Sequence, residues 1–427
     1  MPWIIGLVIL VALTLLGASI TYATGAVAVI AYFLADQQEF LLAFPSRIFN
    51  QMDIFALMAM PMFILLGEIM NRGGITNALI DFAEALVGRL EGALGHVNIL
   101  TSVFFAGISG AAMADAAALG NTLVPAMTRR GYSLDYAAAI TAASSIIGPI
   151  VPPSIIMIFY GAVMGVDVAA LFAGGIVPGA LLALALFAAN ACAARVCKHP
   201  GGLDESSPAV TTSFMRAFPA LALPVIIIVG IVLGWMTPTE AAAMAVLASI
   251  GVCYFYKSLN VSVLKESLIR TVAVTGTIFA MLAVSATLNY LGAITLFPQT
   301  VAELVSGMGL EGKQFIVLLY LIFLIFGMFS ETQIALVLVA PLLIPIAVAQ
   351  GANPVHLGVV CCLNLSMGLI TPPLGGVLFI VSSTTGINYW RLVRATLPFI
   401  ILELALLLFL YLTPEVTLFL PRLMGLL

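Results

Sequence analysis

Gly148-Pro149-Ile150-Val151-Pro152-Pro153-Ser154 and Gly368-Leu369-Ile370-Thr371-Pro372-Pro373 lie 220 residues apart in a chain of 427 residues. Each stretch puts two consecutive prolines inside an apolar run. A helix interior loses two N–H donors at such a point, and the preceding carbonyls are left without partners. The composition says what surrounds these breaks. The chain is 63% hydrophobic and 8% charged, against roughly a quarter charged in soluble domains. That excludes a soluble fold of this length, and apolar runs of membrane-spanning length recur throughout. Lipid offers no hydrogen bonds, so both breaks need partners from protein, water or an ion. The net charge is −4 with no basic cluster, which gives no sign of nucleic-acid binding.

Outward from the two breaks, the match continues at the same offset. Gly107 falls on Gly327, Leu123 on Leu343, Pro125 on Pro345, Gly131 on Gly351 and Pro178 on Pro398. The matches concentrate on Gly and Pro, the residues that dictate backbone shape. Apolar segments near 3–16, 18–35 and 52–71 map onto 216–236, 238–257 and 271–291. Residues 1–197 therefore read as one repeat, 198–215 as a polar linker and 216–427 as a second repeat. Each repeat holds three spans, an apolar helical pair (95–130 and 314–350), a broken helix (134–165 and 355–386) and a final span. A pair returns the chain to the side it left, so each repeat makes an odd number of net crossings, five, and the second copy is inverted. Inverted repeats with discontinuous helices are the architecture of many secondary transporters. The expected fold class is an all-α polytopic membrane protein of two inverted five-crossing repeats.

Charge supplies an independent orientation. With the linker in the cytoplasm, Arg72, Arg89, Arg129, Arg130, Arg195, Lys198, Arg216, Lys257, Lys265, Arg270, Arg391 and Arg394 are cytoplasmic, and only Arg47, Lys313 and Arg422 lie outside. That is the bias of the positive-inside rule, and it puts both termini in the periplasm. The first residues carry no positive region and read as an uncleaved span. Thr76–Glu91 has the pattern of an amphipathic helix lying in the interface, with a weaker mate at Leu296–Glu311. Five cysteines show no framework spacing, and His96, His199 and His356 form no metal-ligand cluster.

Two kinds of segment are candidates for chemistry. The breaks carry hydroxyls and an amide nearby: Ser144, Ser145 and Ser154 in the first, Asn364, Ser366 and Thr371 in the second. Each break is either a kink satisfied by these groups or water, or a site where freed carbonyls hold a hard cation such as sodium. Duplication at repeat-related positions favours the ion. The helical pairs carry Gly107-Ile108-Ser109-Gly110-Ala111-Ala112-Met113-Ala114-Asp115 and Gly327-Met328-Phe329-Ser330-Glu331-Thr332-Gln333. Their acids are ordinary loop acids if the pairs cross fully, and midplane acids facing protein, water or ligand if the pairs are re-entrant. The small residues around Ser109 also suit close helix packing. Asn121 is either a polar cross-link or a ligand contact. Glu68, Glu240 and Glu403 lie near predicted span ends and read as interfacial. Gly107-Ile108-Ser109-Gly110 also matches the G-x-S-G pattern of rhomboid intramembrane proteases, which need a partner histidine. His356 is the one candidate, and a protease leaves the long repeat unexplained, so this reading ranks last.

Gly107–Gly120 (GISGAAMADAAALG), Ser145–Ser154 (SIIGPIVPPS), Phe329–Thr332 (FSET) and Asn364–Gly375 (NLSMGLITPPLG) together resemble the large membrane subunit of TRAP transporters, the tripartite ATP-independent periplasmic transporters. The resemblance covers essentially the whole chain. One departure is Ala111, where the family often has Ser. The resemblance implies that both pairs are re-entrant hairpins, that each tip packs on its own broken span and binds sodium, and that the hairpins move as an elevator against a scaffold. The first sodium site would use Ser109 and Gly110 with Gly148, Val151 and Pro152. The second would use Gly327, Glu331 or Thr332 with Gly368 and Thr371. Substrate would sit between the tips, with Ser109, Asp115, Asn121, Ser145, Ser154, Asn364 and Ser366 as candidate contacts. The resemblance further implies sodium as coupling ion with no organic cofactor, and a location in the bacterial inner membrane. Its implied partners are a small membrane subunit of about four spans and a periplasmic binding protein delivering an organic acid, an acidic sugar or a dicarboxylate. No phosphate-binding loop is present, in keeping with a transporter that is not an enzyme. The alternative is a self-sufficient sodium–carboxylate symporter.

Overall fold

The computed structural model describes residues 2–200, 209–307, 309 and 312–427. All regular structure among the described residues is helical. Among the described residues, seven helices are long and apolar enough to cross a membrane: Phe55–Arg72, Val168–Cys197, Val210–Val232, Pro238–Phe255, Val261–Ile294, Thr332–Ala349 and Tyr389–Leu412. Shorter apolar helices fill the segments around the tips and breaks. The expected helical pairs are Ala93–Ser109 with Ala112–Arg129 and Lys313–Phe329 with Thr332–Ala349. These bounds coincide when the first pair is moved by 220 residues. Part of the linker, 201–208, and part of the expected amphipathic mate, 308 and 310–311, lie outside the described residues.

Several elements differ from expectation for local reasons. The span expected at 271–291 is a single helix of 34 residues, Val261–Ile294. Asn260 starts it early by accepting the Val263 N–H at 2.7 Å, and no proline follows to stop it. At about 1.5 Å per residue it is roughly 50 Å long, so it outruns a hydrocarbon core of about 30 Å. Its counterpart in the first half is cut into Phe44–Met52, Phe55–Met58 and Ala59–Arg72. The cut falls where Ile54 turns to an extended conformation (φ −101°, ψ 114°). The amphipathic helix ends at Val87, not Glu91, because Gly88 caps it and Gly92 adopts a left-handed conformation that starts the next helix. It buries Leu79, Phe82 and Ala83 between Val210–Val232 and the first hairpin. A further short helix, Pro414–Leu423, follows the last span.

Packing cuts across the two sequence halves. In one group, Pro238–Phe255 packs on Ala59–Arg72, and Val261–Ile294 packs on Ile20–Leu34. In the other, Lys313–Phe329 packs on Pro354–Gly368, and Leu134–Ser144 packs on Tyr389–Leu412. The halves also exchange arms. Ala112–Arg129 packs on Gly376–Thr385, and Thr332–Ala349 packs on Ile155–Met164.

The acids read as interfacial divide. Glu68 pairs with Arg72 at 3.1 Å, and Arg72 also reaches Glu266 at 2.6 Å. Glu240 closes a capping box with Thr237. Glu403 departs from the expectation. It sits in the middle of Tyr389–Leu412, 1% exposed, with no hydrogen-bond partner on either oxygen among the described residues. Its place on the buried face between Ile400 and Leu407 follows from helical spacing that a window of mean hydropathy does not see. On the polar side, His199 lies against Tyr132 and Tyr136 at ring distances of 4.8 and 4.2 Å. Burial pushes its imidazole below the ordinary histidine range.

A close backbone approach joins the second hairpin to its own broken span. A Cβ on Gly327 would lie 2.8 Å from the Leu365 carbonyl, and a Cβ on Gly368 would overlap the Gly327 backbone. Two glycines thus permit contact that any side chain forbids. Gly368→Ala should lower the apparent Tm of the purified protein, by overpacking worth about 1–3 kcal/mol. Gly251→Ala, where a Cβ meets open space, should leave it unchanged. Equal behaviour of the two variants would contradict this packing.

Candidate functional site

Leu134–Ser144 runs through a short 3-10 turn, Ser145–Ile147, into the first break. Ser154 then restarts the helix: its Oγ accepts the Met157 N–H at 3.3 Å and donates to the Pro149 carbonyl at 2.5 Å. In the second break, Gly375 takes a left-handed conformation (φ 57°) before Gly376–Thr385. The Tyr389 hydroxyl donates to the Pro373 and Leu374 carbonyls at 2.8 and 2.9 Å. Both Pro-Pro peptides are cis. Among the described residues no N–H or O–H donates to the carbonyls of Ile150, Val151 and Pro152, or to those of Ile370, Thr371 and Pro372. These are the same three positions in each half.

Each hairpin tip meets its own break. Gly110, left-handed at φ 58°, comes so close that a Cβ would lie 2.5 Å from the Pro153 carbonyl. Ser109 Oγ donates to Asp115 Oδ1 and accepts the Ala111 N–H at 3.2 Å. Asp115 is fully buried, its Oδ2 has no partner among the described residues, and that oxygen lies 2.6 Å from where a Cβ on Gly148 would be. Ser109, Asp115 and Gly148 therefore converge. Asp115 stands in the first turn of Ala112–Arg129, where the helix dipole favours a negative charge. At the second break, Thr371 Oγ1 donates to the Met367 carbonyl at 2.8 Å, which spends its proton and leaves its lone pairs. All the groups gathered at the two breaks are oxygens, the donor set of a hard cation and not of a soft metal.

The other candidates sit elsewhere. Glu331 is exposed and borders a cavity of about 380 Å³ with Gly327, Ser330, Leu369, Met113 and Thr277. This cavity lies where the second tip, the second break and the first hairpin meet the other packing group. Thr332 is buried and donates to Gln333 Oε1 at 3.0 Å. Val151 packs against Gly179, and the Pro152 carbonyl lies near Gly107. Asn121 is exposed and donates to the Ala117 carbonyl of its own helix at 2.9 Å. Ser145 and Ser366 donate to their own helices, to Ala142 and Cys362. Asn364 donates to the Tyr320 carbonyl at 2.8 Å and the Tyr411 hydroxyl at 3.2 Å. The structure thus joins Ser109 to Asp115 and does not bring Asn121, Ser145, Asn364 or Ser366 to the cavity wall. The protease reading has no support here, since Ser109 is bonded to Asp115 and His356 Nδ1 to Thr417 Oγ1 at 2.7 Å.

Sequence reasoning missed a buried polar chain that seats the first hairpin on its broken span. Asn98 donates to Thr141 Oγ1 at 2.6 Å, Ser144 donates to Asn98 Oδ1 at 3.0 Å, and Ser102 donates to Ser144 at 2.8 Å. The signal was present as polar residues four apart, Asn98 and Ser102, and three apart, Thr141 and Ser144, on faces that are otherwise apolar. Asn364, at the position of Ser144 in the second half, makes the same kind of link to Tyr320.

Comparison with known proteins bears on the whole chain. The family model described as "Tripartite ATP-independent periplasmic transporter, DctM component" matches residues 7–416. The sialic acid TRAP transporter large permease protein SiaM of Vibrio cholerae is 38% identical over 375 residues, which cover 87% of each chain. The C4-dicarboxylate TRAP transporter large permease protein DctM of Pseudomonas aeruginosa is 35% identical, covering 89% of each. The sialic acid TRAP transporter permease protein SiaT of Haemophilus influenzae is 36% identical over 93% of this chain, which spans only 65% of that longer protein. Among solved structures, the Alcanivorax borkumensis YdaH transporter superposes with a TM-score of 0.60 at 15% identity, covering 89% of each chain.

The polar chain yields a contrast. Asn98→Ala strands buried hydroxyls and should lower the apparent Tm by the equivalent of about 1–3 kcal/mol. Asn121→Ala, exposed and bonded only to its own helix, should stay within about 0.5 kcal/mol of the parent. Thermal unfolding of both variants side by side checks this, and a larger loss at Asn121 would reverse the assignment.

Proposed function

This chain belongs to the DctM component family of tripartite ATP-independent periplasmic transporters, and we propose that it moves an organic acid across the bacterial inner membrane with sodium as the coupling ion. The observation that carries this reading is the pair of equivalent breaks. In each, three carbonyls without donors among the described residues lie beside a hairpin tip and an oxygen-bearing side chain. Unwound carbonyls of discontinuous helices are what sodium-coupled transporters use to hold the ion.

The first sodium site is formed by carbonyls of the Gly148–Pro153 break with Ser109 and the free Oδ2 of Asp115. The approach of Asp115 to Gly148 supports a place for this carboxylate beside the cation as well as among the substrate contacts. The second site is formed by carbonyls of the Gly368–Pro372 break with Thr371 and the backbone of the Gly327 tip. Substrate occupies the cavity at the second tip. Carboxylate recognition there draws on hydroxyls such as Ser330 and Thr277, on helix N-termini, and on Arg270. Arg270 stands two turns from Thr277 on the same helix and lies within electrostatic reach of Glu331. The names of the relatives, sialic acid and C4-dicarboxylate transporters, support an acidic sugar or dicarboxylate as substrate.

Coupling follows from linkage. Sodium that orders a tip against its break makes the adjoining cavity better shaped for substrate, and substrate in turn tightens sodium. The two halves are inverted copies. The hairpins, broken spans and final helices move together, as an elevator, against the group built from the early spans and Val210–Ile294. A small membrane subunit and a periplasmic binding protein complete the system, with the linker in the cytoplasm and both termini in the periplasm.

Uptake into proteoliposomes tests this. The chain with its small subunit and binding protein should accumulate substrate only under an inward sodium gradient. Accumulation by this chain alone would favour the self-sufficient symporter. Thr371→Val should raise the sodium concentration for half-maximal uptake about tenfold, the equivalent of about 1.4 kcal/mol, and Thr371→Ser should restore it. Unchanged sodium activation in Thr371→Val would remove Thr371 from the site. Asp115→Asn keeps an acceptor for Ser109 but loses the charge, and should weaken sodium activation likewise.

A further inference from the structure

A second cavity, of about 300 Å³, lies at the far end of the second hairpin, away from its tip. Its walls are the start of Lys313–Phe329, the loop 350–353, the start of Pro354–Gly368 and the helix Pro414–Leu423. Gln350 Oε1 closes the base by accepting the Gly312 N–H at 3.1 Å. Lys313 and Arg422 both border it, and neither makes an ion pair among the described residues. These are two of the three cations that the charge pattern places outside the cytoplasm. Three helices begin at this cavity, at Lys313, Pro354 and Pro414, so their positive ends add to the same field. A lysine in the first turn of a helix is electrostatically disfavoured there unless a negative group joins it. Glu415 is exposed in the first turn of Pro414–Leu423, but among the described residues it forms no ion pair with Lys313 or Arg422.

His356 also borders the cavity; it is 1% exposed and its Nδ1 is bonded to Thr417 Oγ1 at 2.7 Å. The cavity therefore offers two cations for an anion. Its remaining wall is apolar, with Phe315, Ile316 and Leu418. Beside it the terminal helix exposes Phe419 (58%) and Leu423 (72%), a surface suited to acyl chains.

We propose that this cavity binds the headgroup of an anionic phospholipid, with its phosphate on Lys313 and Arg422. The lipid straps the base of the second hairpin to the terminal helix on the periplasmic side. The apolar wall selects a membrane lipid over a free phosphate ester.

The test is the apparent Tm of the purified full chain in neutral detergent, titrated with phosphatidylglycerol, phosphatidylcholine or soluble glycerol 3-phosphate. Phosphatidylglycerol should raise Tm in a saturable way by a few degrees, and the other two should not. Lys313→Gln with Arg422→Gln should weaken the half-saturating lipid concentration about tenfold or more. Both side chains are exposed, so the lipid-free Tm should remain that of the parent. Arg47→Gln, which removes the third outer cation from above the Tyr290 ring, should respond to lipid as the parent does. A lipid response that persists in the double variant, or no response in the parent, overturns the site. An equal shift with glycerol 3-phosphate overturns the lipid and leaves a soluble anion as the ligand.

Discussion

A carbonyl without a donor is a small matter in water and a large one in hydrocarbon, where each such group costs several kcal/mol. The rest of this structure depends on that constraint. Interrupting a span at Pro-Pro creates the open carbonyls, and lipid cannot be allowed to reach them. The hairpins are what keep it away. Gly110 brings one tip against the first break, and Gly327 meets Gly368 at the second, at distances that leave no room for an acyl chain. Contacts of glycine on glycine and polar links such as Asn98 with Thr141 then fix the hairpins in place. What begins as a backbone defect becomes an enclosed set of oxygens, and enclosure makes electrostatic interactions with a cation stronger than they would be in water.

The two halves meet this problem with different backbone at the tips, Gly110 left-handed at φ 58° and Ser330 extended at φ −139°, and with different side chains. At Gly327 and Gly368 two backbones touch. At their counterparts, Gly107 faces Pro224 and Gly148 faces the Asp115 carboxylate. Asp115 corresponds to Ala335 and Glu331 to Ala111, so the acids do not follow the repeat. One carboxylate is sealed beside the first break, and the other stands in an open cavity beside the second. The long continuous helix Val261–Ile294 against three pieces in the first half is a further departure from symmetry.

Much of the fold was legible because glycine and proline announce backbone shape directly. Pro152-Pro153, Pro372-Pro373, Gly107 and Gly327 located both breaks and both tips, and the helix ends of the two hairpins fall where the 220-residue offset puts them. The site was legible only in part. Ser109, Asp115, Gly148 and Thr371 stood out as polar or small residues at special backbone positions. Asn364 and Ser366 carried the same sequence signal, yet their hydrogen bonds go to Tyr320 and Cys362. A polar residue in an apolar span must be satisfied by something, and sequence does not say whether by ligand or by neighbouring helix. Glu403 was misplaced for a related reason: its burial depends on which face of Tyr389–Leu412 meets the core, not on how far it lies from a span end.

The exchange of arms between halves has a consequence for biosynthesis. Ala112–Arg129 packs on Gly376–Thr385, a segment that leaves the ribosome far later. At about 5–20 residues per second the earlier arm waits roughly ten seconds to a minute for its partner. During that interval the outer face of a short, glycine-rich and imperfectly apolar hairpin has no companion, although its carboxylate already has Ser109 and the Gly148 break beside it. The nascent first half therefore has to be held, by the insertion machinery or by its own amphipathic helix at Ile75–Val87, until the second half arrives. Assembly of this protein is a matter of timing as much as of affinity.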